Sequence, residues 1–434
     1  MTSAVGLQLS LSDIARLAGV RRPVVSMWRR RPLAGHAFPS ADSLVSGEER
    51  FDAREVTDYL AATSRGNNPD AAGDLVAHAK LPQAISLDEV ATVHGLTALL
   101  CLATMTDEPL SSLSSDELQD LARKRDPDDA VLLREIVALG RELEPLAAHA
   151  DELASASYSP AAAFERLLTQ RAPSAYPGQA TMRLAPAAQT LVARTAIALA
   201  TDASMEVPCF VDVTDGSADL LLATNKAYAG EHSPSVATIS LDTRVARLAR
   251  RRLRIHDIHR MKVVSDESGN FTTELGSANV AVHVLQVPPA GQPGLSDVEV
   301  LDFLGNLVVQ LSNDSRVVVI GPASALTDRA TTAEIELARD AVIRGDRLRA
   351  AFRLPRGLLP RSPRRALALW VLGPAHGAVP VRDRWTVIGD VSDQSLDESV
   401  IDSIVTDIVA AMTPDERSAK SGRAPVVAGE NDAA

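Results

Sequence analysis

The sequence predicts an α/β protein, and three observations carry that expectation. Near the N-terminus, SDIARLAGVRRPVVSMWRRR reads as two short helices hinged on a glycine. From about Leu75 to Gln170, apolar residues recur three and four apart, which is the period of packed helices. Beyond Arg183 the rhythm changes to strands alternating with helices, the signature of a doubly wound parallel sheet. A chain of 434 residues is too long for one ordinary core. Its expected organisation is a helix-turn-helix domain over 1–63, a linker over 64–74, a helical domain over 75–172, a sheet domain over 178–392, and a C-terminal helix with a disordered tail over 393–434.

In the first domain Ser12 is a plausible N-cap, and Ile14, Leu17 and Ala18 fall on one helical face. Gly19 tolerates the positive φ of a turn, and Val20 tucks back toward the core. The second helix starts near Arg22 and Pro23, with Val24 or Val25 and Trp28 facing inward. That leaves Arg21, Arg22, Ser26, Arg29, Arg30 and Arg31 on a face suited to a DNA major groove. After a stretch rich in Gly, Ser and Pro, FDAREVTDYLAAT reads as a helix capped by Asp52, with Glu55 as capping-box partner and Val56, Tyr59 and Leu60 inward. Together these pieces resemble a winged helix of the excisionase or MerR type. SRGNNPDAAGD, from Ser64 to Asp74, has the composition of a flexible linker.

ALLCLATM, SSDELQDLARK, DDAVLLREIVALGRELEPLAAHADELA and PAAAFERLLTQR supply the helices of the middle domain. Expected strands are VPCFVDVT, SVATISL, VAVHVLQV, SRVVVIGP, LRAAFRLP and ALALWVLGP. The run ARLARRRLRIH, Ala246 to His256, is read as the exposed face of a helix. Net charge is −12, which argues against a whole-surface nucleic-acid glove, yet six arginines and no acid lie between Arg16 and Arg31. Cys101 and Cys209 match no zinc or disulfide spacing, so neither a metal nor a disulfide framework is expected. With no signal-peptide pattern and no apolar run long enough to span a bilayer, a cytoplasmic location without membrane contact is expected.

From about Tyr158 to Trp385 the sequence resembles the N6-adenine DNA methyltransferases that serve as modification subunits of type I restriction systems. That family's first strand ends in DPACGSG, whose glycines admit S-adenosylmethionine to the backbone. Here the segment is FVDVTDGSADLLLAT, with Asp212, Gly216 and Ser217 in place, Val213 where the proline stands, and Ala218 for the last glycine. The resemblance further assigns the ribose-binding acid to the end of the second strand, where this chain has Ser240 and then Asp242. It assigns an adenine-contacting aspartate to Asp266. The catalytic tetrapeptide is Asn-Pro-Pro-aromatic, whose asparagine accepts from the target amine and whose ring stacks on the flipped base. This chain has Val287, Pro288, Pro289 and Ala290 there, so no catalytic residue is expected.

The resemblance therefore implies a Rossmann-like methyltransferase domain with weak or absent S-adenosylmethionine binding. The expected function is a double-stranded-DNA-binding protein, a pseudoenzyme acting as regulator or scaffold of a modification or defence system. The alternatives are an active adenine-specific DNA methyltransferase working with an altered tetrapeptide, and a non-catalytic partner of a complete methyltransferase subunit.

Overall fold

The structure is a computed structural model that describes residues 8–33, 35–45, 47–68, 71, 74, 87–265, 271–273, 281–376, 379–380 and 384–413. Asp266 and the expected disordered tail beyond 413 lie outside the described residues. The chain divides into two compact units, 1–177 with 254–256 and 178–253 with 257–434.

Unit 1 begins with β1 (Gln8–Leu9), α1 (Leu11–Leu17) and α2 (Arg22–Arg30). The cap of α1 is Ser10, not Ser12. Its hydroxyl accepts from Asp13 N at 3.2 Å, and the Asp13 carboxylate accepts from Ser10 N at 3.0 Å. The residue three places after Ser10 is an acid able to return the bond, whereas the one three places after Ser12 is Ala15. Gly19 makes the turn at φ +66°. Val25 and Trp28 are buried while Val24 is only partly so, which settles the inward register of α2.

Strands β2 (Ala41–Val45) and β3 (Glu48–Asp52) then form a hairpin, and β1 completes an antiparallel sheet in the order β1-β3-β2. α3 (Ala53–Thr63) follows, its first turn held by the Asp52 carboxylate, which accepts from Arg54 N and Glu55 N at 2.9 and 3.0 Å. Ile14, Val25, Trp28, Phe51, Val56 and Tyr59 share one core. The stretch read as a flexible linker is anchored at its start. Asn67 N donates to Ala18 O at 2.8 Å, and the Asn67 and Asn68 side chains donate to Gly19 O at 3.1 Å and Leu17 O at 2.8 Å. Gly66 makes this return possible: at φ +100° its backbone passes Ala18 O so closely that a Cβ would stand 2.8 Å away.

The remainder of unit 1 is helical: α4 (Glu89–Ala103), α5 (Ser115–Arg125), α6 (Leu133–Ala138), α7 (Leu143–Ala156) and α8 (Pro160–Gln170). α4 is buried on every side from Thr92 to Leu102, which makes it the central helix. The segment beginning DDAVLL starts with a loop, because the buried Asp126 carboxylate gathers the N–H groups of Ala130, Val131, Leu132 and Leu133 at 2.7 to 3.1 Å. Gly140, at φ +52°, interrupts the same pattern between α6 and α7.

Unit 2 carries α9 (Pro186–Asp202), β4 (Cys209–Asp212), α10 (Asp219–Ala227), β5 (Ser235–Ile239), α11 (Arg244–Ile255), β6 (Arg260–Ser265), β7 (Phe271–Thr273) and β8 (Val282–Gln286). They are followed by α12 (Asp297–Gln310), β9 (Arg316–Pro322), α13 (Ala333–Arg344), β10 (Leu348–Arg353), β11 (Leu367–Leu372), β12 (Val387–Asp390) and α14 (Glu398–Met412). The result is a mixed α/β fold with a nine-stranded sheet in the order β12-β10-β11-β9-β8-β4-β5-β6-β7. Among the described strands only β7 and β11 run against the others. All six strands expected from sequence are present, as β4, β5, β8, β9, β10 and β11. One face of the sheet packs Phe210, Val236, Val284 and Ile320 beneath α9 and α14, and the other packs Leu285, Val319 and Trp370 beneath α12 and α13. α14 is therefore part of the sheet domain's core, with Ile401, Ile404 and Ile408 buried in it.

The arginine run of α11 is not an exposed face. Arg247, Arg250, Arg251 and Arg252 are all buried. Among the described residues no helix is long and apolar enough to cross a membrane.

Candidate functional site

Two places concentrate the residues singled out by sequence. The first is the outer face of α2, where Arg21, Arg22, Arg29, Arg30 and Arg31 are exposed and Ser26 is half-buried. Ser26 Oγ donates to Arg22 O at 3.4 Å. The helix carries no acid in its first turn and two arginines in its last, and its apolar Val25–Trp28 side faces the core. Arg29 differs from its neighbours. Its Nη1 and Nη2 donate to the two Glu49 carboxylate oxygens at 2.6 and 3.0 Å, and its guanidinium lies 5.4 Å from the centre of the Phe51 ring. Glu49 lies on β3, so the hairpin reaches one of the expected contact residues.

The second place is the crevice where the strand order reverses. β4 pairs with β5 on one side and β8 on the other, and the crevice outside the carboxyl ends of β4 and β8 is where doubly wound sheets hold ligands. The loop 212–218 after β4 and the segment 287–291 after β8 meet there. Asp212, Gly216 and Ser217 line the crevice together with Ala218, Gln286, Pro289 and Ala290. A second cleft beside it is bounded by Thr214, Thr238, Ile239 and Ala249. Each encloses about 270 Å³ of space, open solvent included.

Within the loop, Asp212 turns its carboxylate onto its own chain. Oδ1 accepts from Thr214 N at 2.8 Å and Thr214 Oγ1 at 2.6 Å. Burial pushes its pKa up to about 6, against these two bonds and with help from the nearby Asp215 charge. Asp215 is itself raised by burial, while a 2.7 Å bond from Thr243 Oγ1 pulls the other way. Ala218 adopts φ +62°, the left-handed backbone that a glycine takes without strain and an alanine does not. The turn has a glycine-type shape and carries a methyl group.

The two loops also touch. Gly291 N donates to Asp215 O at 2.8 Å, and a Cβ on Gly291 would stand 2.0 Å from the Asp215 carboxylate. Ser217 Oγ donates to Asp219 at 2.6 Å. Arg252 Nη1 reaches from α11 to donate to Asp219 at 2.6 Å and Ser217 O at 3.0 Å, and its charge holds the Asp219 carboxyl low against burial.

The remaining expected residues are dispersed. Asp242 lines neither cleft; it is exposed and 3.8 Å from Arg247 Nη1. Ser240 Oγ accepts from Arg260 Nη1 at 3.3 Å, placing a cation where the resemblance puts an acid's partner hydroxyls. Val287 is buried, and Gly321 on β9 leaves room for it: a Cβ there would stand 2.7 Å from Val287 Cγ2. Pro288 and Pro289 are buried, and only Ala290 is half-buried at the crevice. Thr214, Asp215, Gln286 and Thr238 were not anticipated. The first two lie between Asp212 and Gly216 in sequence, so the loop itself was the available signal.

No family model matches the chain, and no curated protein does. Among solved structures it is similar to the type I restriction-modification methyltransferase subunit of Streptococcus thermophilus, at 16% identity and TM-score 0.49, covering 82% of each chain. A Listeria monocytogenes protein assigned to the class I S-adenosylmethionine-dependent methyltransferases is similar at 14% identity and TM-score 0.46, covering 74% of this chain and 99% of that one. The type IIG restriction endonuclease BpuSI is similar at 12% identity and TM-score 0.46, over 74% of this chain and 42% of its own.

Proposed function

We propose that this chain binds duplex DNA through the exposed face of α2, in a winged helix-turn-helix, and that unit 2 is a methyltransferase-type body without methyl-transfer activity. Its role on this reading is that of a regulator or scaffold in a DNA modification or defence system. The observation that carries it is at Val287. The position that would accept the target amine's hydrogen bond holds an apolar side chain buried toward β9, and the position of the stacking ring is Ala290. Neither group that would position an extruded base is available.

On this reading S-adenosylmethionine binds weakly or not at all. Asp212 spends Oδ1 on Thr214, Asp215 and Gly291 join the two loops, and Arg260 engages Ser240 at the ribose end. A calorimetric titration should accordingly give no binding at micromolar cofactor, and a labelled-methyl assay on DNA of diverse sequence should give no incorporation. Turnover that Asp212→Ala abolishes would overturn the reading.

One observation favours the alternative of a working cofactor site: the backbone at Ala218 holds the glycine-like turn. The same titration separates the two. A micromolar or tighter constant supports an intact pocket. As a scaffold the chain would pair with a complete methyltransferase subunit, which size-exclusion chromatography of a mixture with such a subunit tests.

A further inference from the structure

We infer that Glu49 withholds Arg29 from DNA, so that the β2–β3 hairpin sets the affinity of α2; this rests on the duplex-binding reading above. A base edge or a phosphate engages arginine best through its two terminal nitrogens, in a planar two-point contact. Those are the nitrogens that Glu49 occupies, at 2.6 and 3.0 Å, while Phe51 supports the flat guanidinium from below. The charge of the hairpin acts in the same sense. From Ala41 to Asp52 it carries Asp42, Glu48, Glu49 and Asp52 against Arg50 alone, and Arg50 is already shared between Asp13 at 3.7 Å and Glu48 at 3.4 Å. A hairpin of that charge opposes a phosphate backbone rather than greeting it.

The pairing is also specific to one arginine. Among the described residues no ion pair engages Arg22 or Arg30, on the same helix face. Both partners stay about one-third exposed, 36% for Arg29 and 37% for Glu49, so the bond can be exchanged for a DNA contact without unfolding anything. Glu49 is charged throughout the neutral range, as an ordinary carboxylate is, and the Arg29 hydrogen bond holds its carboxyl lower still.

The test is duplex binding by the full chain, followed by fluorescence anisotropy over a series of salt concentrations. The proteins are wild type, Glu49→Gln, Glu49→Ala, Arg29→Ala and the Arg29→Ala/Glu49→Gln double variant. Freeing Arg29 should tighten binding by roughly three- to tenfold near 0.1 M salt and steepen the log-log salt slope by about 0.9, one phosphate's worth. Arg29→Ala alone should change affinity less than about twofold, and in the double variant it should remove the gain. A gain that persists in the double variant, or no gain from either Glu49 change, overturns the inference. Failure of every form to bind duplex, even at low salt, is a different outcome and removes the DNA-binding reading itself.

Discussion

Two helices of this protein are written in nearly the same letters and have opposite fates. α2, RPVVSMWRR, keeps Arg22, Arg29 and Arg30 in water; α11, RVARLARRRLRI, has Arg247, Arg250, Arg251 and Arg252 buried. On α2 the apolar side chains Val25 and Trp28 claim the inward face, so the guanidinium groups have nowhere to go but out. On α11 the inward arginines meet acceptors supplied by other segments: Asp219 and Ser217 O for Arg252, and Leu241 O for Arg250 at 2.6 Å. A run of arginines is thus a solvent-facing surface or an internal brace according to what stands opposite it.

The comparison is broken most sharply by removing one arginine from each helix. Arg252→Ala should lower unfolding stability by about 3 kcal/mol, since it removes a buried guanidinium and leaves the half-buried Asp219 carboxylate without its partner. Arg30→Ala should stay within about 0.5 kcal/mol, as exposed substitutions do. Urea denaturation followed by circular dichroism reads both. Equal losses would mean that burial does not distinguish the two sets.

Buried charge of the other sign gives the next largest effect. Asp212 has a folded pKa near 6, above its ordinary 3.8, so its contribution to stability is complete below about pH 4 and is lost as pH rises through 6. Asp212→Asn should then stabilise the protein by about 2 kcal/mol at pH 8, with the gain vanishing toward pH 4. A gain independent of pH would assign the effect to something other than ionisation.

On α2, Arg22→Ala with Arg30→Ala should weaken duplex binding roughly tenfold or more at about 0.1 M salt and flatten the salt slope by nearly two. Arg22 and Arg30 are the informative pair because Arg29 is held by Glu49. Unchanged slope with relaxed sequence preference would instead make them base contacts. The smallest expected effect is at Ala218: Ala218→Gly should stabilise by about 1 kcal/mol or less in thermal melts, relieving the left-handed backbone at the expense of a more flexible unfolded chain.

What sequence made legible was local. Gly19 at its turn, Asp52 at its cap and Val25 with Trp28 on one face are all decided by residues within a few positions. Short segments rich in β-branched and apolar residues likewise announced six strands of the sheet. Strands such as EERFD and RMKVVS were hidden, since charge interrupts their alternation and neighbours rather than propensity make them strands. The burial of Arg252 was hidden for the same reason, its acid partner lying 33 positions away. At the crevice, the loop 212–218 was legible as a motif. That Asp212 would cap its own loop, and that Asp242 would sit outside both clefts, depended on side-chain directions that no spacing encodes.

The return of Gly66, Asn67 and Asn68 onto the end of α1 has a practical bearing on how this molecule is cut. Because Asn67 and Asn68 satisfy carbonyls of Leu17, Ala18 and Gly19, and Asn68 Nδ2 donates on to Asp74 at 2.7 Å, a fragment ending at Thr63 would leave the hinge of its first two helices frayed. A fragment meant to keep that hinge intact therefore runs at least through Asp74. Its shorter counterpart should show faster amide exchange at Val20 and Arg21, in the very turn that aims α2.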